Sequence, residues 1–106
     1  MEQNYIIKYP EGYVEDSYFQ FEVEAKGYLQ NVTLRFLTRD YKLIFYDPIR
    51  LEQDILEDLK IKKSFFASNL IVVESVNIEH INNAIIDMIK NEDIIHLLPV
   101  ESISIK

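Results

Sequence analysis

The chain has no cysteine and no tryptophan, and only two glycines and three prolines among its 106 residues. Without cysteine there is no disulfide framework, no thiolate zinc site and no thiol nucleophile. Gly12 and Gly27 alone cannot build a phosphate cradle, and neither Gly-x-Gly-x-x-Gly nor His-Glu-x-x-His occurs. No apolar run approaches the roughly 20 residues of a membrane-spanning helix. Met1-Glu2-Gln3-Asn4 has neither the basic nor the apolar region of a signal peptide, so the expected location is the cytoplasm. The scarcity of Gly and Pro leaves little room for long irregular loops.

What is present is a core-forming composition. Apolar residues make up 48% of the chain, enough to exclude disorder and to bury a core without metal or disulfide. Residues 1–106 are expected to form a single domain. Eighteen acids face eleven bases, giving net −7. Residues 1–24 hold six acids and one base, and residues 74–106 six acids and two bases. The middle, 25–73, holds six acids and eight bases, including Lys60, Lys62 and Lys63. An acidic surface repels nucleic acid and anionic lipid and favours cationic partners.

Hydrophobic periodicity organises the chain. Asn4–Tyr9 reads as a short strand, closed by Pro10-Glu11-Gly12. Tyr18–Lys26 alternates, with Phe19, Phe21, Val23 and Ala25 on one face and Tyr18, Gln20, Glu22 and Glu24 on the other, the pattern of a half-buried strand. Lys26-Gly27 then reads as a hairpin turn. Val32, Leu34 and Phe36 point inward from the next strand, and Tyr41, Leu43 and Phe45 from the one after a turn at Arg39-Asp40. On the wet face of this meander, Glu22 and Glu24 are expected opposite Arg35.

Asp47-Pro48 opens a helix, with Asp as cap and Pro at the first position. At about 100° per residue, Ile49, Leu51, Ile55, Leu56 and Leu59 form one arc, and Arg50, Asp54, Glu57 and Asp58 the opposite one. Glu52 is the exception, since it falls inside the apolar arc. Leu70–Val73 reads as a strand buried on both faces in mid-sheet. Asn77 caps a second helix with Ile78, Ile81, Ile85, Met88 and Ile89 inward, and Asn91 is a candidate left-handed close. Ile94–Leu98 is a strand or a helical turn, and Val100–Ile105 a terminal strand. The expected fold is α+β: a mainly antiparallel sheet in the order β-β-β-β-α-β-α-β, with two helices packed on one face.

No chemistry is written in these motifs. His80 and His96 are the only histidines and have no metal-ligand spacing; none of the six serines lies in Gly-x-Ser-x-Gly. No catalytic residue, metal site or cofactor is expected. All seven tyrosines lie in the first half, and Tyr18 shares its face with Glu22 and Glu24, a combination suited to a basic protein partner.

A small, acidic, cysteine-free α+β chain bearing Glu15, Asp16, Glu22, Glu24, Asp54, Glu57 and Asp58 resembles bacterial toxin-immunity proteins. These are the cytoplasmic antidotes of contact-dependent inhibition and related polymorphic toxin systems. The resemblance covers overall character and no motif. It implies a non-enzymatic inhibitor that covers the active site or an exosite of a cognate basic, nuclease-like toxin. Expected partner-binding residues are Asp54, Glu57, Asp58, Glu22, Glu24, Tyr18, Glu15 and Asp16, with no nucleic acid and no membrane as partner. A different class of role is a structural or regulatory subunit that self-associates through a sheet edge or the Tyr-rich face. A third is a hydrolase using His80 or His96 with a carboxylate.

Overall fold

The computed structural model describes residues 4–100. Its elements are β1 (Tyr5–Lys8), α1 (Ser17–Lys26), β2 (Tyr28–Phe36), β3 (Arg39–Tyr46), α2 (Pro48–Ile61), β4 (Leu70–Val72) and α3 (Ile78–Lys90), followed by a 3-10 turn over Asp93–His96. The sheet order is β1-β2-β3-β4. The first two pairings are antiparallel, and β3 pairs with β4 in parallel through α2. The α+β class and the mainly antiparallel sheet are as expected. The terminal strand expected at Val100–Ile105 lies outside the described residues beyond Val100.

One element changes type. Tyr18–Lys26 is a helix and not a strand. Asp16 caps it by accepting from the amides of Tyr18 and Phe19, and Gly27 closes it at φ 75° with its amide on Val23 O. Gly27 thus supplies a left-handed helix end where a hairpin turn was expected. Consecutive turns bring Phe19 and Val23 together on the inner side. Phe19 meets Tyr13 edge to face at 5.4 Å, and Val23 joins the core.

Register explains the core. Ile7, Leu34 and Tyr41 align across three strands, as do Val32 with Leu43 and Leu29 with Phe45, so these side chains share a face. Leu29 and Val32 are an odd number of residues apart yet both point inward. A register shift between them, with Asn31 at φ 66°, restores the alternation. Against this face lie Phe19 and Val23 of α1 and the inner stripe Ile81, Ile85 and Ile89 of α3. Asn77 caps α3 as expected, and Val76 and Ile81 are both fully buried. The left-handed residue beyond α3 is Glu92, not Asn91.

The helices started at Asp47 and Asn77, expected together on one face, lie on opposite faces, and the core face is shared by α1 and α3. The other helix, α2, sits on the reverse. Tyr46 and Tyr28 are paired in register and adjoin the inward Phe45 and Leu29, so their rings point to the far side, 4.9 Å apart. There the Tyr46 hydroxyl donates to Asp54 Oδ2 at 2.6 Å, Arg50 Nε donates to Asp54 Oδ1 at 2.9 Å, and the Arg50 guanidinium lies 5.2 Å from the Tyr28 ring centroid. The inner side of α2 mixes Arg50, Asp54 and Asp58 with half-buried Leu51 and Ile55, whereas Ile49, Leu56 and Leu59 of the expected apolar arc are exposed, and no residue of the helix is fully buried. Leu70–Val72 is likewise corrected: among the described residues it is an edge strand, with Ile71 on the core side and Val72 exposed. Its apolar run reflects two half-covered faces and not a central position.

Candidate functional site

The outer side of α1 is the most developed candidate. With Phe19, Gln20 and Val23 directed inward, Tyr18 and Phe21 are left 66% and 68% exposed. Ala25 and Glu22 are exposed beside them, and Val14 is exposed just before the helix. Gln20 donates through Nε2 to the carbonyls of Tyr13 and Val14, at 3.0 and 2.9 Å, which fixes the lead-in turn against the helix. Residues 11–26 carry five acids and one base. The patch is two aromatic side chains rimmed by carboxylates on a helix capped at both ends.

The expected binding residues fall into two groups. Glu15, Asp16, Tyr18, Glu22 and Glu24 come together on or beside α1, although the strand expected there was wrong. Glu15, Tyr18 and Glu22 are open to solvent. Asp16 is engaged as the helix cap, and Glu24 Oε2 accepts from Asn77 Nδ2 at 3.2 Å, linking α1 to the start of α3. Phe21 is the residue that sequence reasoning missed, because alternation assigned it to the inner face. The signal for it was the pairing of a capping Asp16 with a terminating Gly27 at helical spacing.

Asp54, Glu57 and Asp58 lie on α2, across the sheet from α1. Asp54 is not on an outward arc. It is held by Tyr46 and Arg50, and Asp58 pairs with Lys62 at 3.4 Å. Glu57 alone of the three is exposed without such a partner among the described residues. Burial pushes the Asp54 carboxyl up, but the Tyr46 hydrogen bond and then the Arg50 contacts outweigh it and hold the group below its ordinary range. Burial, then the bond to Asp54, raises the Tyr46 hydroxyl well above its ordinary value. These shifts belong to a structural clamp.

Nor do Glu22 and Glu24 face Arg35. Arg35 pairs with its cross-strand neighbour Asp40 at 2.8 Å. The turn expected at Arg39-Asp40 falls two residues earlier, at Leu37-Thr38. The open side of the sheet beyond α2 forms a shallow groove of about 440 Å³, lined by Ile6, Lys8, Thr33, Arg35, Asp40, Lys42 and Val100. It is cationic on an acidic chain, and its lining has no histidine, serine or thiol.

The two histidines lie in different surroundings. His80 Nδ1 lies 2.9 Å from the Ser75 carbonyl and 3.2 Å from the Ser75 amide, and the His80 amide donates to the Asn77 cap, which ties the ring to the entry of α3. His96 is exposed on the 3-10 turn. Among the described residues no group of three or more His, Asp or Glu is placed to hold a metal ion, and no helix is long and apolar enough to cross a membrane. Comparison with protein-family models, curated proteins and solved structures found no match for this chain.

Proposed function

We propose that the protein is a binding module of the immunity type: an inhibitor that neutralises a basic, nuclease-like toxin by covering its active site or an exosite. The supporting observation is the outer face of α1, where Tyr18 and Phe21 stand exposed among Glu15, Glu22 and Glu24. Exposed aromatics on a rigid element act as anchors at protein interfaces, since they bury much area for little lost entropy. Carboxylates around them steer a cationic partner and raise its association rate. A surface built to contact the phosphates of a nucleic acid is cationic, and an acidic helix face competes for it directly. In this reading the chain acts in the cytoplasm of the producing cell, has no catalytic residues and needs no cofactor.

The test is functional. A basic polypeptide retained by the immobilised chain from the source cell is isolated, and its activity is measured as the chain is titrated in. The reading predicts loss of that activity at a fixed stoichiometry, with an association rate that falls as salt is raised. A retained polypeptide whose activity is untouched at saturation contradicts it.

A further inference from the structure

The α2 helix buries only part of its expected apolar arc. Leu51, Asp54, Ile55 and Asp58 face the body of the protein, while Ile49, Leu56 and Leu59 are 70%, 55% and 42% exposed. At about 100° per residue these three aliphatic side chains share one arc with Glu52, and exposed Lys60 lies at its margin. The interior takes Leu51 and Ile55 together with Asp54 and Asp58, which leaves the other aliphatic side chains as a stripe on solvent.

We propose that this stripe is the contact between two copies of the chain, with their α2 helices antiparallel about a two-fold axis near Leu56. The charges on the stripe select that occupant. Glu52 precedes Leu56 by four residues and Lys60 follows it by four, so each sits about 6 Å along the axis from the centre. Antiparallel pairing about Leu56 brings Glu52 of each copy level with Lys60 of the other and forms the same ion pair twice. It also sets Leu56 against Leu56 and Gln53 level with Leu59. Parallel pairing places Glu52 beside Glu52 and is disfavoured. A two-fold contact must be self-complementary in this manner, and the pattern explains why an acid interrupts the apolar arc. Because α1 lies on the opposite side of the sheet, each copy keeps its α1 face free.

The test is the mass in solution as a function of concentration, by sedimentation or light scattering. The wild-type chain is expected to pass from one copy to two as concentration rises. Leu56→Lys, at an exposed position, is expected to remain single with an unchanged circular dichroism spectrum. Glu52→Lys and Lys60→Glu are each expected to weaken the dimer about tenfold, and the double exchange to recover most of that loss. A wild-type chain that stays single at the highest concentration overturns the proposal. So does a dimer that Leu56→Lys leaves intact, or a double exchange no tighter than either single one.

Discussion

The Tyr46 hydroxyl donates a 2.6 Å hydrogen bond to Asp54 Oδ2, joining the last residue of β3 to the middle of α2. This contact lies on the side of α2 that faces the sheet, beside half-buried Leu51 and Ile55. Arg50 completes it, bonding Asp54 Oδ1 and reaching the Lys26 carbonyl at 3.2 Å while its guanidinium rests on Tyr28. The inner side of α2 therefore combines directed polar contacts with the half-burial of Leu51 and Ile55. Removing one partner leaves a half-buried group unsatisfied, so Tyr46→Phe should cost about 1–2 kcal/mol and Asp54→Ala about 1–3 kcal/mol. Urea unfolding of the two variants checks this, and unchanged midpoints contradict it.

The same pair sets limits in pH. Asp54 titrates below its ordinary 3.8 in the folded chain, so its contribution is present above that value and is lost as pH falls through the lower, folded one. Tyr46 titrates above its ordinary 10.0 when folded, so its contribution is complete below that value and is lost as pH rises toward the folded one. Tyr9, whose hydroxyl donates to Asn82 Oδ1 at 2.5 Å, is pushed up to about 12 by burial and then by neighbouring Tyr13, and acts in the same direction at alkaline pH. Stability from these groups should be flat through the neutral range, falling only in acid and in strong base. Thermal melts across pH test this, and Tyr46→Phe should flatten the alkaline limb.

Gly27 is fixed by two constraints at once. Its φ is 75°, and a Cβ there would lie 2.4 Å from a carboxylate oxygen of Asp47, the residue that caps α2. The Asp47 amide also donates to the Gly27 carbonyl at 2.9 Å, so the end of α1 and the start of α2 share one junction. Gly27→Ala should destabilise by about 1–3 kcal/mol, from backbone strain and displacement of the cap. An unfolding midpoint within error of wild type contradicts this account.

Tyr13 is fully buried, and its hydroxyl has no partner among the described residues. Its ring contacts Tyr9 and Phe19, each at 5.4 Å between centroids, so the ring and not the hydroxyl supports the lead-in to α1. Tyr13→Phe should be neutral or stabilising by up to about 1 kcal/mol, whereas Tyr13→Ala should cost about 3–5 kcal/mol. Equilibrium unfolding separates the two, and a marked loss in Tyr13→Phe contradicts the assignment.

Much of this fold is legible in the sequence where periodicity and caps agree. Val32, Leu34, Leu43 and Phe45 point inward as alternation requires, and Asp47-Pro48 and Asn77 start helices as caps should. Alternation misleads at Tyr18–Ala25 because apolar residues are spread around α1. Phe19 and Val23 satisfy a helix and a strand equally well, and only Asp16 and Gly27 distinguish them. The orientation of α2 is invisible locally, since it involves Tyr46, a residue of β3 whose hydroxyl bonds Asp54 on the inner side of the helix. Part of the candidate site was legible as composition: Tyr18, Glu15 and Glu22 are exposed near one another, but on and beside a helix and not on the expected strand face. Phe21 and the geometry uniting them were not.

The central claim is that the outer face of α1 holds a cationic protein partner. The most direct measurement is quantitative capture from extracts and medium of the source cell, comparing immobilised wild-type chain with a Tyr18→Ala, Phe21→Ala, Glu22→Lys variant. All three positions are exposed, so the thermal midpoint of the variant should match that of wild type. The predicted result is a basic polypeptide retained in stoichiometric amount by the wild-type chain and lost by the variant. Equal retention by both, or retention of no basic polypeptide by either, contradicts the claim.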